Sequence, residues 1–422
     1  MEKKITYAEA ILVEEIKVLK VFNDLNVPKD LKLLNDPNNP KDPKLLNDPN
    51  DLKFPNDLND LKILKDPKLP NRRILVAGNR SGGVAVAAMR RWPEAEVVAH
   101  AFDYHHARAI RKRLLDEGLP ARNVRCSAGV GVEGTDALQP TEEMRQPFDA
   151  AFFMTTPQSM PAELVLDQLQ DIHANLVEGG ALYAAFEGDP DEALKTMRLV
   201  WKNVNVLKRA KHAVLFRAVK RGAPAKTRDF AATWEASVPG GEPLEFTTYP
   251  GCFCHRRPDA GGLALAEVAA REVNGESQEV ILDMGCGCGL VGLLVADAIR
   301  RQSSISNLQS SITLIDSHAR AIAAAKANAA RAGIEAEFIL SDDGLPRGRV
   351  GEYDLFVGNP PYYSDYRIAE VFLETAYRAL KPGGVCLTVV KTATGLLALQ
   401  EKYFRKAEVI KRRGYCVLRS VR

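Results

Sequence analysis

The residues able to do chemistry gather in four short stretches of the second half of the chain. The first, Asp283-Met-Gly285-Cys-Gly287-Cys-Gly289, follows the apolar run EVILD and opens the run LVGLLVADAI. Glycines there let the backbone turn tightly and approach a ligand where a Cβ would collide. An acid at the end of the strand can pair with a cationic ligand group. The spacing is G-x-G-x-G, not the G-x-G-x-x-G of dinucleotide sites, and a plain tight turn is the competing reading. In the second stretch, SITLIDSHARAI, Asp316 ends a predicted strand. A carboxylate in that place can accept hydrogen bonds from both hydroxyls of a ribose, or simply cap the next helix. The third, AEFILSDDG, puts Asp342 after another strand, with Asp343 as rival and a solvated loop acid as the plainer reading of either. The fourth is Asn359-Pro360-Pro361-Tyr362, directly after YDLFVG. An ordinary proline turn is its alternative.

The glycine loop resembles motif I of class I S-adenosylmethionine-dependent methyltransferases, where it packs against the methionine part of the cofactor. In that family the Asp342 position often contacts the adenine amino group. Asn359-Pro360-Pro361-Tyr362 resembles the N/D-P-P-Y/F motif IV of the members that modify planar nitrogens. Such a nitrogen is a poor nucleophile because its lone pair is delocalised. The Asn side-chain oxygen and the carbonyl of the first proline can accept both of its N–H groups. This holds the nitrogen in line with the methyl group and favours the lone-pair-exposed form of the transition state. The prolines stiffen the loop. The aromatic ring can stack on the planar group, worth about 1–3 kcal/mol for a base. No strong base is required, because the nitrogen becomes acidic as it is alkylated; positioning and electrostatics supply the acceleration.

These residues need strands that end together. Strand-like and helix-like segments alternate from Arg72 to about residue 221, as in a doubly wound α/β domain, and again from EVILDMGCGCG to the C-terminus. The two stretches read as copies: ILVAGNRSGG matches ILDMGCGCGL, FDYHHARAI matches LIDSHARAI, FDAAFFMTTPQ matches YDLFVGNPPY, and LVEGGALYAAF matches LKPGGVCLTVV. The expected organisation is a low-complexity segment over 1–71, a degenerate domain over 72–222 and a catalytic domain over 223–422. Residues 23–71 use eight residue types in imperfect repeats rich in Asn-Asp-Pro and are expected to be disordered. They also read as translated repetitive DNA upstream of a later start, which would take the helical-looking residues 5–22 with it.

Duplicated domains with NPPY only in the second resemble the tandem-domain bacterial ribosomal RNA guanine-N2 methyltransferases. The resemblance implies an α/β fold of two Rossmann-like domains, with the N-terminal copy degenerate and aiding RNA binding or stability. It extends to YPGCFCHRRPDAGGLALAE, where Phe253, Asp259 and Gly261 fill the family's pre-motif places before a helix that covers the cofactor. The first copy is eroded: Val76 stands for Asp283, Arg80 for Gly287, and Thr155-Thr156-Pro157-Gln158 for the NPPY loop, while Asp103 survives. It is expected to bind no S-adenosylmethionine. Family members often follow NPP-aromatic with His-x-Gly, but this chain has Tyr363-Ser364-Asp365, which leaves the target nucleotide open.

The 422 residues are 46% hydrophobic and 26% charged with a formal net charge of +3, so any charge argument is local. Residues 198–228 carry ten Lys/Arg and no acid; Lys402, Arg405, Lys406, Lys411, Arg412 and Arg413 form a second cluster. Both read as a footprint for the phosphate backbone of ribosomal RNA or a ribosomal subunit, with salt-paired faces as the alternative. A buried target base would be flipped or already unpaired. Seven Cys in so long a chain do not make a disulfide scaffold. Cys252-Phe-Cys254-His255 lacks the second ligand pair of a zinc site, so no metal is expected. No membrane span or signal peptide is read, and a cytoplasmic location is expected. The sequence therefore points to methyl transfer from S-adenosylmethionine to an exocyclic amine of a ribosomal RNA base, with guanine N2 preferred. Adenine-N6 methylation of nucleic acid, glutamine-N5 methylation of a protein and non-catalytic RNA binding are the alternatives.

Overall fold

The structure is a computed structural model that describes residues 9–10, 12–13, 16, 72–78, 81–129, 146–155, 160–210, 212–273, 279–302, 311–346, 348–361 and 366–422. Tyr362, the loop residues Tyr363-Ser364-Asp365, Arg80, Thr156-Pro157-Gln158 and the repeats of 23–71 lie outside the described residues.

The first sheet is built from β1 (Arg73–Ala77), β2 (Glu96–Ala101), β3 (Val124–Cys126), β4 (Phe148–Thr155), β5 (Leu176–Glu187), β6 (Val204–Ala210) and β7 (Ala213–Val219), in the order β3-β2-β1-β4-β5-β7-β6. Its helices are α1 (Gly83–Arg91), α2 (Tyr104–Asp116), α3 (Ala162–Asn175) and α4 (Pro190–Val200). A hairpin of β8 (Ala232–Ala236) and β9 (Leu244–Thr248) follows. The second sheet contains β10 (Val280–Met284), β11 (Ser311–Asp316), β12 (Glu337–Leu340), β13 (Tyr353–Gly358), β14 (Leu380–Val390), β15 (Glu408–Arg412) and β16 (Tyr415–Val421). Its order, β12-β11-β10-β13-β14-β16-β15, repeats the first strand for strand. The flanking helices are α5 (Ala260–Glu272), α6 (Leu290–Gln302), α7 (Ala319–Ala332), α8 (Arg367–Ala379) and α9 (Thr394–Phe404). Two tandem Rossmann-like domains therefore make up the fold. β1 and β10 are the equivalent central strands. Both are covered on two faces, which is why they read as unbroken apolar runs rather than alternating ones.

Upstream of the repeats, Leu12 and Ile16 are fully buried in the core of the first domain. The carboxylate of Glu9 accepts from Ser81 Oγ and from Gly83 N at the start of α1. The first domain thus packs residues from both sides of the 23–71 segment, and Glu9, Leu12 and Ile16 form part of it.

The two domains meet through equivalent loops, the ones that follow β2 and β11. Tyr104 N donates to Ser317 O at 2.8 Å and Ala319 N to Phe102 O at 2.7 Å, a single antiparallel rung. Arg320 passes from α7 into the first domain: it pairs with Asp167 at 2.6 Å, donates to Ala128 O and lies 4.3 Å from the Phe102 ring centroid. Being 4% exposed, its charge is matched by that carboxylate and by carbonyl oxygens, including Pro250 O.

Candidate active site

In an open parallel sheet the carboxyl ends of the strands form the ligand crevice. In the second domain these ends carry the residues singled out above. β10 runs into the glycine loop, whose Gly285, Gly287 and Gly289 all have positive φ, at 70°, 57° and 85°. Gly285 N and Cys286 N donate to Ile315 O of the neighbouring strand, at 2.8 and 2.9 Å. A Cβ on Gly285 would strike the Phe372 ring at 2.8 Å. A Cβ on Gly287 would meet nothing within 4 Å and would project into open space. That open cradle is what a ligand lying against the loop requires.

Asp316 ends β11 beside this cradle. Its Oδ2 accepts from Gly287 N at 2.9 Å and its Oδ1 from His318 N at 2.8 Å. Burial pushes its carboxyl up to about 6, against the backbone hydrogen bonds that pull it down. Asp283 lies beneath the loop, 2% exposed, and accepts from Gly292 N at 2.8 Å, tying β10 to the first turn of α6. Burial raises it to about 7.

Asp342 follows β12 and reaches across to the first domain. Arg108 of α2 donates to its Oδ1 at 2.6 Å, and His105 Nδ1 lies 3.1 Å from its Oδ2. Asp343 is the more exposed of the two acids and takes a second contact from Arg108 at 3.1 Å. His105 and Arg108 are neighbours of the site that sequence reasoning missed: a polar side chain near a helix start reads as a cap or surface group until its partner across an interface is known.

Asn359 leaves β13 beside the glycine loop, since β13 pairs with β10 up to Gly358. Its Nδ2 donates to Asp259 Oδ2 at 2.8 Å. Asp259 caps α5 through Gly261 N and Gly262 N, so helix start and loop share one carboxylate. Pro360 is buried and Pro361 half-buried. The loop before α5 is held on the first domain by Arg256, which pairs with Glu163 at 2.9 Å, and its Phe253 ring is exposed. Cys252 and Cys288, pushed by burial up to about 11 and about 12, stay protonated thiols. Among the described residues no group of three His, Cys, Asp or Glu side chains stands close enough to hold a metal.

The eroded copy has put its surviving groups to other use. Asp103 caps α2 through His105 N at 2.8 Å and accepts from Ser317 Oγ at 3.3 Å, next to Asp316. Both cation clusters carry more internal pairing than the sequence suggested. Arg412 and Arg413 converge on Glu267, and Lys402 pairs with Glu370. Arg209 faces Asp191, and Lys220 donates to carbonyls at the end of α3. The acids come from elsewhere in the chain, so a local count could not find them. Arg198, Lys202, Lys208, Arg221, Lys226 and Arg228 form no ion pair among the described residues.

Residues 243–419 match the methyltransferase small domain family. A ribosomal RNA small subunit methyltransferase C of Pseudomonas entomophila (strain L48) is 29% identical over 307 residues, 71% of this chain and 83% of that protein. Its counterpart from Pseudomonas putida (strain GB-1) is 30% identical over 246 residues, 56% of this chain and 68% of that one. In fold, the chain is similar to a 16S rRNA N2 methyltransferase of T. thermophilus solved with AdoMet and guanosine, with a TM-score of 0.64 at 19% identity, over 85% of this chain and 90% of that one. Taken with the repeated sheet and the crevice at the end of its second copy, these similarities place the chain in the ribosomal RNA small subunit methyltransferase C family.

Proposed function

We propose that the chain transfers a methyl group from S-adenosylmethionine to the exocyclic N2 amine of a guanine in small-subunit ribosomal RNA. The observation that carries this reading is the juxtaposition at the strand ends: an open glycine cradle flanked by Asp316, with Asn359 on the adjacent strand. Bound there, S-adenosylmethionine supplies a methyl group on a positively charged sulfur, so the acceptor needs only alignment.

In this reading Gly285, Gly287 and Gly289 let the backbone approach the cofactor, and Gly287 in particular leaves the room it occupies. Asp316 holds the ribose hydroxyls. Asp283 anchors the loop to α6 and, ionised, attracts the cationic end of the cofactor. Asp342 sits at the adenine end, fastened from the first domain. Asn359 Oδ1 and the Pro360 carbonyl accept the two N–H groups of the target amine and point its lone pair at the methyl carbon. Pro361 keeps that carbonyl aimed, and Tyr362 stacks on the base. The new N–C bond forms as the C–S bond breaks with its electron pair going to sulfur, and the amine proton leaves to water once the nitrogen carries positive charge. The unpaired cations of residues 198–228 supply contacts to the RNA backbone, a role that makes affinity fall with salt.

Nucleoside mass spectrometry of ribosomal RNA, with and without the gene, tests the product: loss of one N2-methylguanosine is expected, and loss of a methyladenosine instead would overturn the base assignment. Asn359→Ala should bind S-adenosylmethionine as the unmodified protein does while methyl transfer falls by about 10²-fold or more. Undiminished transfer would remove the role given to Asn359.

A further inference from the structure

The Asn359 amide can act as an acceptor for the target amine only if its oxygen, not its nitrogen, faces the crevice. Rotation by a half-turn exchanges the two ends at almost no cost in shape, so something must choose between them. An ionised carboxylate only accepts hydrogen bonds. Asp259 Oδ2, 2.8 Å from the amide, therefore requires the NH2 end and turns Oδ1 away from itself. Among the described residues Oδ1 meets no hydrogen-bond donor. The flipped amide would set oxygen against oxygen at Asp259 and present an NH2 to the NH2 of the acceptor, a mismatch at both ends.

Asp259 is itself held firmly. Gly262 N donates to the same Oδ2 at 2.6 Å and Gly261 N to Oδ1 at 3.3 Å, both from the first turn of α5. The start of that helix favours a carboxylate here. A donor hydrogen-bonded to an anion also raises the electron density at the far end of its amide, which makes Oδ1 a stronger acceptor as positive charge develops on the target nitrogen.

We infer that Asp259 is the positioning residue of the site: it sets the orientation of the Asn359 amide and strengthens its oxygen without touching the substrate. The inference rests on Asn359 being the acceptor clamp and assigns the control of that clamp to a helix cap about a hundred residues earlier in the chain.

The test must separate orientation from capping. Serine caps helices about as well as aspartate but is too short to reach Asn359, so Asp259→Ser should keep the melting temperature and the affinity for S-adenosylmethionine while kcat falls about tenfold or more. Asp259→Asn retains an oxygen acceptor and should recover part of that loss. In an Asn359→Ala background, Asp259→Ser should have no further effect on kcat, because there is no amide left to orient. Full kcat in Asp259→Ser, or an equal loss in both backgrounds, would overturn the inference. If Asn359→Ala itself leaves kcat intact, it is the clamp reading that fails.

Discussion

In the proposed function, Asp316 is a single side chain that sets a condition for the whole reaction. Burial holds its carboxyl near 6 instead of near 4, so in the proposed role the ionised form needed to accept from ribose hydroxyls predominates only above that pH. Affinity for S-adenosylmethionine should fall about tenfold between pH 7 and pH 5, as the ionised fraction drops. Calorimetric titration across that range checks this; a flat profile would show that Asp316 is not the group in contact. The effect on folding has the opposite sign. The native state binds this proton more readily than the unfolded chain, so Asp316 adds stability as pH falls through 6. At this scale much could be read in advance. Asp283, the three glycines, Asp316 and Asn359 stand at strand ends because their motifs join a strand pattern to a turn pattern. The hydrogen bond between Asp259 and Asn359 could not, because a cap and a loop far apart in sequence meet only through the packing of α5.

At the scale of elements, α2 of the first domain does work for the second. Arg108 and His105 stand near its start and hold Asp342 at the end of β12, while the residues before it form the rung to the loop after β11. The crevice proposed for the cofactor is thus braced from outside its own domain at two of its strand ends. Arg108 is about half exposed, so the pair is worth little in global stability. Its loss should instead loosen one loop. Arg108→Ala is expected to raise the dissociation constant for S-adenosylmethionine about three- to tenfold, with kcat at saturating cofactor unchanged; equal affinity in calorimetry would show that the brace is idle. The alternation of strand and helix made both sheets legible, since each parallel strand is a short apolar run bounded by turn residues. The docking of Glu9, Leu12 and Ile16 was not. Their apolar spacing suggests a helix, but the low-complexity stretch that follows hides which core receives Leu12 and Ile16.

For the molecule as a whole, the domain interface is where acid should act. His318 stacks on Phe102 at 5.8 Å between centroids, and burial lowers its pKa to about 4. The native state binds this proton less readily than the unfolded chain, so the stability it contributes is lost as pH falls from about 6.5 to about 4. His318→Gln should therefore melt with a shallower dependence on pH over that window, read as melting temperature against pH; an unchanged slope would place the acid-sensitive step elsewhere. The repeated landmarks made the duplication readable from the chain, because four motifs in one order survive even where their chemistry has gone. The way the copies face each other was not readable, since it depends on contacts such as Arg320 with Asp167 that no motif announces.

Asp103 carries a final consequence. In the copy whose motifs are eroded this acid is a fastener beside the crevice of the second domain, bonded to the residue that follows Asp316. To serve a nucleoside again it would have to let go of Ser317, and the surviving pocket would lose a strut in the same event. Freeing Asp103 for a ligand of its own would therefore cost the second domain a support at the seam.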